Sequence, residues 1–367
     1  MKMLIAGMGT ALPEYAIATD EALEYAEAIH GAGGASDTDL RRMRILYRRS
    51  GVEKRHSVVL GPKGSATRQE FYPLPLNGNA HGPALGKRMG MYEQEALPLA
   101  LRAASDALDE SGTSSYDITH LVTVSCTGFA APGVDIGLMT ALGLRPTVER
   151  THVGFMGCHG ALNGLRVARS YAENSPNATV LLVCVELCSL HYHYQADAGQ
   201  MVANALFADG AAAVVGVPVA DDADDSGSWH VTATGSCLIP DSQEDMSWRI
   251  TDHGFVMTLS PRVPSLIEGH LQPWLNEWLS DYGLTATEIG SWAVHPGGPR
   301  ILEAVQSALG TTRESFSASN EILRMCGNMS SPTLLFIIQR LRTQREALPC
   351  VCLGFGPGLM AEASLLA

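Results

Sequence analysis

The feature that most constrains the fold is an internal repeat with an offset of 170 residues. Three pairs of landmarks share this offset: the candidate strand ends Ser125 and His295, the glycine-preceded residues Cys158 and Asn328, and the candidate strand starts Thr179 and Pro349. Equal spacing of three elements indicates a duplicated strand–helix–strand unit. The alternative is a chance alignment of apolar strands, which would have to occur three times.

The repeat predicts an α/β fold of two similar halves, at residues 1–220 and 228–367, and the acidic segment 220–227 is typical of a linker. An apolar stripe from Leu97 to Leu108 predicts a helix that stops at Gly112. The Gly- and Pro-rich segment 61–90 predicts a long ordered loop. Strands are predicted at residues 118–125, 179–186, 211–219, 291–295 and 349–355.

The charge balance limits the partners that this chain can bind. The formal net charge is −13, which disfavours a nucleic-acid-binding surface. One segment differs, because nine Lys or Arg residues lie between Thr38 and Arg68 against only Asp39 and Glu53. That excess suits a phosphate-bearing small molecule, and a solvated basic face is the alternative.

Cysteine usage and hydropathy bear on the compartment. The eight cysteines lie mostly in apolar runs, which favours a reduced, cytoplasmic protein over a disulfide framework. No run reaches the ~18 apolar residues that a membrane-spanning helix requires, so we expect no membrane span.

Three residues are candidates for catalysis. Cys158 follows a glycine at a predicted helix start, where the helix dipole would lower the pKa of the thiol and favour a nucleophilic thiolate. His295 ends a strand, and the following Pro-Gly-Gly-Pro forces a turn that leaves the imidazole at a rim. Asn328 could donate to a developing oxyanion. The structural alternatives are a buried cysteine, a strand-end histidine and a helix-capping amide.

Two other patterns are weaker. Cys184, Cys188, His191 and His193 have a spacing that is not a common zinc pattern, and two cysteines four residues apart on an extended strand would lie about 13 Å apart, so we expect no metal site. The Gly-rich segment 354–358 lacks the spacing of phosphate-binding and dinucleotide-binding loops. It suggests backbone that passes close to a ligand or to the catalytic residues.

The motifs together resemble the type III polyketide synthases, the chalcone and stilbene synthase family of the thiolase superfamily. The matching segments are SCTGFAAPGVD (125–135), GFMGCHGA (154–161), ALFADGAAA (205–213), WAVHPGGPRIL (292–302), CGNMSS (326–331) and GFGPG (354–358). The resemblance implies a thiolase-like αβαβα layered fold from two duplicated halves, and a homodimer. It also implies that Cys158, His295 and Asn328 form a catalytic triad.

The same resemblance implies the substrates and their contacts. Acyl-CoA and malonyl-CoA are expected as substrates, with no separate cofactor. CoA phosphates are expected near Arg42, Arg48 and Arg49. Further substrate contacts are expected at Thr127, Ala131, Phe207, Met257, Gly297, Gly298, Ser330, Phe355 and Gly356. Phe207 and Met257 stand at two gatekeeping positions, of which Met257 departs from the plant pattern.

The expected reaction is decarboxylative condensation of malonyl-CoA onto an acyl group on Cys158, followed by cyclisation to a pyrone or resorcinol-type product. TGFAAPGVD resembles the bacterial branch, and the small Ala131 leaves room for a tunnel, so we expect an aliphatic starter. The alternatives are an aromatic or short acyl starter, and a carrier-protein-dependent enzyme that performs a single condensation. A thiolase-fold subunit without activity is a third alternative, against which the intact triad argues.

Overall fold

The computed structural model describes residues 1–75, 81–195, 197–220 and 227–367. Most of the predicted linker at 220–227, and part of the predicted loop at 61–90, lie outside the described residues. The helices are α1 Thr19–Ala32, α2 Asp37–Arg48, α3 Leu85–Ser111, α4 Val134–Leu142, α5 Gly160–Asn174, α6 Ala198–Leu206, α7 Val263–Ser280, α8 Pro299–Leu309, α9 Ser317–Cys326 and α10 Ser331–Gln344. The strands are β1 Lys2–Ala11, β2 Ala16–Ala18, β3 Lys54–His56, β4 His120–Ser125, β5 Glu149–Gly154, β6 Val180–Leu187, β7 Asp209–Val219, β8 His230–Leu238, β9 Met246–Thr251, β10 Gly254–Leu259, β11 Ser291–Val294, β12 Cys350–Gly356 and β13 Met360–Leu366.

The large sheet repeats one strand pattern in its two halves. Its order is β11-β12-β13-β8-β1-β7-β6-β4-β5. In the first half β4 is parallel to β6, and β6 and β1 are both antiparallel to β7. In the second half β11, β12, β13 and β8 repeat this pattern, and β1 pairs with β8 where the halves meet. The predicted duplication is therefore confirmed, and β5 is an additional edge strand of the first half.

Three apolar cores give the fold its layers. Helices α3 and α4 cover the outer face of the first half-sheet, and α7 and α8 cover the outer face of the second. Between the halves lie α5 and α10, which contribute to a third core with residues from both halves. The sequence of layers is helix, sheet, helix, sheet, helix, as the resemblance implied. The first eight residues of α10 are all buried, which explains the apolar run Leu334–Ile338 there, and its polar second half is largely outside the core.

Small residues let α5 approach the sheet closely. A Cβ at Gly160 would lie 2.9 Å from Val124 Cγ1, and one at Gly164 would lie 2.7 Å from Leu182 Cδ1. Glycine at both positions therefore sets the helix-to-strand distance, and with it the depth at which the residue before the helix is buried.

The predicted strands are confirmed to within two residues at each end. The predicted helix stop is also confirmed, because α3 ends at Ser111 and Gly112 takes the left-handed conformation with a φ of 65°. The predicted loop at 61–90 is wrong at its end, since α3 begins at Leu85 and includes Gly86 and Gly90. Both glycines lie where a side chain would meet nothing within 4 Å, and packing of the apolar stripe against β1 outweighs their low helix propensity. Within the described residues, no helix is long and apolar enough to cross a membrane.

Candidate active site

Cys158 lies in a short 3₁₀ turn, Gly157–His159, that leads from β5 into α5. Gly157 has a φ of 71°, and a Cβ there would lie 2.5 Å from Pro357 Cδ. The Gly-rich segment at the end of β12 thus packs directly against the turn that carries Cys158. This contact is the reason for glycine before the cysteine, and the side chain of Cys158 is buried.

His295 and Asn328 come to the same place from the second half. The backbone amide of His295 donates to Leu353 O on β12, which fixes the residue just beyond β11. Asn328 is held by two backbone hydrogen bonds to the end of α6, from Asn328 N to Leu206 O and from Ala208 N to Asn328 O, both 2.9 Å long. The preceding Gly327 has a φ of 74°, a conformation that favours glycine.

The three predicted catalytic residues line one cavity of about 450 Å³. Its other walls are largely apolar and come from α6, the β9–β10 hairpin, α8 and β12. They include Val202, Leu206, Phe207, Met246, Met257, Leu259, Ile301 and Phe355. The structure therefore brings together the triad, both predicted gatekeeping residues, Gly297 and Phe355 in one largely apolar cavity.

Burial controls the ionisation of this site. It raises the pKa of the Cys158 thiol to about 11, while hydrogen bonds from Ser330 and Asn328 lower it. This effect is opposite to the one predicted from the helix N-terminus. Burial also lowers the pKa of His295 to about 3, with repulsion from His159 as a smaller cause. At neutral pH the free enzyme therefore holds a thiol beside a neutral imidazole that has one N–H donor and one lone pair.

Asn328 has a defined orientation toward the cavity. Its Oδ1 accepts a hydrogen bond of 2.8 Å from the amide of Ser330. The amide group Nδ2 is therefore the donor left for Cys158 and for a substrate oxygen. The imidazole nitrogens of His295 have no hydrogen-bond partner among the described residues, so they too are free for a substrate.

Glu186, a residue that the sequence analysis missed, connects the two halves beneath the site. This fully buried carboxylate accepts hydrogen bonds from Cys126 N at 2.9 Å, Thr127 Oγ1 at 2.7 Å and Ser331 Oγ at 2.7 Å. Burial raises its pKa, and these donors lower it. Because Ser331 begins α10, the carboxylate fixes the α10 end that follows Asn328 to the end of β4.

His159 explains two glycines of the GFGPG segment. A Cβ at Gly356 would lie 2.6 Å from His159 Nε2, and one at Gly354 would lie 3.1 Å from His159 Cβ. The ring is held from the other side by Asn163 Oδ1, 2.8 Å from Nδ1, and Asn163 in turn donates to Glu362. Gly356, predicted as a substrate contact, therefore makes room for the imidazole of His159.

Of the three arginines predicted to contact CoA, one lines the groove at the cavity mouth. A groove of about 1670 Å³ leads along α2, α6 and α8, and Gly297, Gly298 and Arg49 line it. Arg300, which the sequence analysis did not single out, lines it from the opposite side. Arg42 and Arg48 are exposed on α2 but do not line the groove.

The remaining predicted contacts lie outside the catalytic cavity. Thr127 is buried against Glu186, and Ser330 lies beside the nucleophile with a φ of 56° and its Oγ 3.5 Å from Cys126 Sγ. Ala131 is exposed and lines neither the cavity that contains Cys158 nor the groove at its mouth.

A second cavity of about 780 Å³ lies beyond Phe207 and Ala203, which line both cavities. Its walls are aromatic and aliphatic residues from α1, α2 and the β9–β10 hairpin, with several polar groups. Trp248 and Phe255 also line it, and Trp248 Nε1 donates to Cys126 O at 2.8 Å.

The two histidines that follow β6, His191 and His193, have a structural role. His191 donates from Nε2 to Thr127 O at 2.6 Å and accepts from Phe255 N at 3.0 Å, and His193 Nε2 bonds to Phe255 O at 2.9 Å. Among the described residues no group of three or more metal-ligating side chains is placed to share an ion. The two imidazoles instead fix the β9–β10 hairpin over the site.

Two family models match this chain, one over each half. Residues 1–218 match the N-terminal domain of chalcone and stilbene synthases, and residues 230–367 match their C-terminal domain. Alpha-pyrone synthesis polyketide synthase-like Pks18 of Mycobacterium tuberculosis is 34% identical over 76% of this chain and 72% of its own length. The 1,3,6,8-tetrahydroxynaphthalene synthase of Streptomyces peucetius is 35% identical over 99% of this chain and 92% of its own length.

Two solved structures have the same fold over the whole chain. PKS-I from the brown alga Ectocarpus siliculosus is 30% identical, with a TM-score of 0.92 over 100% of this chain and 98% of its own. The C-terminal type III polyketide synthase domain of Steely1, a type I/III hybrid from Dictyostelium, is 26% identical, with a TM-score of 0.87 over 100% of this chain and 99% of its own. This chain therefore belongs to the chalcone and stilbene synthase family and is an acyltransferase of the type III polyketide synthase class.

Proposed function

We propose that this enzyme loads an acyl-CoA starter onto Cys158, extends it by decarboxylative condensation with malonyl-CoA, and cyclises the product to a pyrone or resorcinol-type ring. The observation that carries the proposal is the shared cavity of Cys158, His295 and Asn328. A thiol, an imidazole and an amide in one apolar chamber are the groups that thioester transfer and enolate stabilisation require.

Loading begins with a proton transfer, because burial keeps the thiol protonated. The neutral imidazole of His295 takes the proton of Cys158, and the sulfur attacks the thioester carbonyl of the starter. The bond between the carbonyl carbon and the CoA sulfur breaks, and His295 returns the proton to the departing CoA thiolate.

Extension uses the same two donors in a different way. Malonyl-CoA places its thioester oxygen toward the N–H of His295 and Nδ2 of Asn328. Loss of CO2 leaves negative charge on that oxygen, which both donors stabilise in a water-poor cavity. The enolate carbon then attacks the acyl thioester on Cys158 and displaces the thiolate.

We infer that the starter is aliphatic and extends past Phe207 into the second cavity. Two features support this: the cavity lies directly behind two residues of the catalytic cavity, and a relative of similar length is named for α-pyrone synthesis. Its lining is mostly aliphatic and aromatic, including Trp248 and Phe255, which suits an apolar acyl chain.

An aromatic or short acyl starter is the second candidate. The tetrahydroxynaphthalene synthase matches a larger share of this chain than the pyrone-forming relative does. A single condensation from a carrier protein is a further alternative, and it would release a product with one added two-carbon unit.

We also infer a homodimer in a reducing, cytoplasmic compartment. The single chain exposes a cluster of apolar residues beside the edge strand β5, namely Phe129, Ile136, Phe155 and Met156. A second copy would cover this surface. All eight cysteines are free thiols, which supports the reducing compartment. A monomer in sedimentation equilibrium at micromolar concentration would contradict the dimer.

The role of His295 as the base for Cys158 predicts a shift in cysteine reactivity. Iodoacetamide alkylation of Cys158, followed by mass spectrometry across pH 5–11, should show a lower apparent pKa in the wild type than in His295→Gln. The reason is that burial raises the pKa of the thiol, and the imidazole of His295 is the base proposed to take its proton in the shared cavity. Coincident pH profiles in two folded proteins would show that His295 does not activate the thiol.

The role of Asn328 predicts a difference between two half-reactions. Asn328→Ala should slow decarboxylation of malonyl-CoA by about 10²-fold, because one oxyanion donor is lost. Acyl transfer from the starter to Cys158 should fall much less, since the amide only assists the thiol there. Mass spectrometry of the acyl enzyme and release of labelled CO2 measure the two steps, and equal losses in both would contradict the assignment.

The position of Ala203 between the two cavities provides a test of the starter. Ala203→Phe should reduce kcat/KM for hexadecanoyl-CoA at least tenfold and leave acetyl-CoA nearly unchanged, because the larger side chain fills the passage. Product mass spectra from a mixed acyl-CoA pool give the wild-type preference, and the short starter is the control within the same variant. Turnover of aromatic starters alone would overturn the aliphatic assignment.

A further inference from the structure

A second imidazole lies beside the nucleophile. His159 directly follows Cys158 in the chain and is 3% exposed, yet it does not line the catalytic cavity. No step of the proposed reaction uses it. Burying a polar ring costs free energy unless its nitrogens have partners, so the partners of each nitrogen indicate what this ring does.

The hydrogen bonds around His159 decide which of its ring nitrogens carries the proton. Glu362 forms an ion pair with Arg166 and accepts from the hydroxyl of Ser236, so its carboxylate acts as an acceptor. Asn163 Nδ2 donates to Glu362 at 3.2 Å, which leaves Asn163 Oδ1 to accept from His159 Nδ1 at 2.8 Å. In His159, Nδ1 is therefore the N–H and Nε2 holds the lone pair.

The lone pair on His159 Nε2 has no hydrogen-bond partner in the part of the chain that the structure describes. Burial lowers the pKa of His159, so the ring is neutral at pH 7 and the lone pair is available. A buried acceptor without a donor is destabilising. The fold nevertheless fixes the ring in the tautomer that leaves this acceptor free.

His295 lies one strand away from this acceptor, on the same face of the sheet. In the parallel pair of β11 and β12, Val294 lies beside Leu353. The amide of His295 donates to Leu353 O at 2.8 Å, which continues this register and places His295 beside Gly354. Ala293 belongs to the core between the halves and Val294 to the outer core of the second half, so strand alternation turns His295 toward the layer between the halves.

His159 occupies the inner face of β12 at this same point. A Cβ at Gly354 would lie 3.1 Å from His159 Cβ, and one at Gly356 would lie 2.6 Å from His159 Nε2. Glycine at both positions removes the side chains that would separate the two imidazoles. The rings are close enough to interact electrostatically, since positive charge on His159 would lower the pKa of His295 by repulsion.

Loading requires a stronger base than an isolated imidazole in this cavity. The pKa of the Cys158 thiol is about 11 and that of His295 is about 3, so proton transfer between them is strongly unfavourable. A group that stabilises positive charge on His295 therefore speeds loading. A neutral imidazole with a free lone pair is such a group, because it can accept the N–H of His295 that is turned away from Cys158.

We propose that His159 is a positioning residue for loading, whose Nε2 accepts the outer N–H of His295 directly or through one bound water. The other nitrogen of His295 then keeps its lone pair toward Cys158, and the imidazolium that forms on proton transfer is stabilised. His159 neither gains nor loses a proton, so the bonds that form and break are those of loading from acyl-CoA. The inference rests on the proposed function of Cys158 and His295.

Two substitutions of His159 separate the roles of its two nitrogens. Glutamine places an amide oxygen near the position of Nε2, and asparagine places an amide N–H near that of Nδ1. His159→Asn keeps the bond to Asn163 and loses the acceptor, so it should slow acylation of Cys158 by hexadecanoyl-CoA about tenfold, with KM unchanged. This is less than the loss of a direct oxyanion donor costs, because His159 acts through His295. His159→Gln restores an acceptor and should stay within about threefold of the wild type.

Two further readouts distinguish positioning from a structural role. The pH profile of iodoacetamide alkylation of Cys158 should move to higher pH in His159→Asn and much less in His159→Gln. Glu362 and Arg166, the charged groups beside His159, are the same in both variants. Release of labelled CO2 from malonyl-CoA should fall less than twofold in both, because decarboxylation needs an N–H of His295 toward the substrate and gains nothing from the outer acceptor.

The effect must also pass through His295. In a His295→Gln background, His159→Asn should change acylation less than twofold, because the group that it positions is gone. Losses that multiply in the double variant would show that His159 acts independently of His295, which would overturn the proposal.

Thermal unfolding of each variant is the folding control. Should His159→Asn not fold, Asn163→Leu provides a second test, because it keeps the ring but releases Nδ1 and with it the fixed tautomer. It should slow acylation about threefold and leave decarboxylation unchanged, and an unchanged acylation rate there would overturn the proposal.

The remaining outcomes separate this inference from the proposed function. Equal losses in His159→Asn and His159→Gln would reduce the ring to a packing role, and a loss confined to His159→Gln would assign its importance to the bond with Asn163. Normal acylation in both variants would make the ring dispensable, and each of these three results overturns the proposal while the proposed function stands. Failure of the wild type to be acylated by hexadecanoyl-CoA, benzoyl-CoA or acetyl-CoA would contradict the proposed function, and the inference with it.

Discussion

The close packing of α5 and α10 between the two half-sheets is the constraint on which the rest of the structure depends. Gly160 and Gly164 allow α5 to touch β4 and β6, and the residues before both helices are buried as a result. A helix start normally leaves polar groups for water. Here Glu186 accepts from the hydroxyl of Ser331 and from the amide of Cys126, which fixes the start of α10 to the end of β4, and backbone hydrogen bonds fix Asn328 to the end of α6.

Burial has a chemical consequence. In a water-poor cavity the thiol of Cys158 stays protonated and the imidazole of His295 stays neutral, so the site holds no net charge before substrate enters. Charge develops there only when His295 takes the proton of the Cys158 thiol or when malonyl-CoA loses CO2. Donors that are already in place then act without the cost of reorienting water. The apolar walls that raise the pKa of the thiol are thus the same walls that strengthen the hydrogen bonds to an enolate.

Much of the fold and the triad could be predicted from the sequence, because both depend on local patterns. The repeat at an offset of 170 residues predicted the matching strands of the two halves. Gly112 predicted the end of α3, because glycine readily adopts the left-handed conformation found there. The prediction of a loop over 61–90 was wrong at its end. The Gly and Pro content reflects only the local backbone preference, whereas packing of α3 on β1 decided where the helix begins. The pKa of Cys158 was misjudged for a related reason, since the helix dipole is visible in a sequence and the depth of burial is not.

The sequence by itself determined the duplicated α/β architecture, the family, and the three residues that meet in the cavity, because periodicity and short motifs are properties of neighbouring residues. Only the tertiary structure decided what surrounds them. It placed Glu186 under the site, His159 against Gly354 and Gly356, Arg300 at the mouth and Arg42 and Arg48 outside it. It also placed a second cavity behind Phe207. These relations join residues that are far apart in the chain, and close packing in three dimensions is the only thing that brings them together.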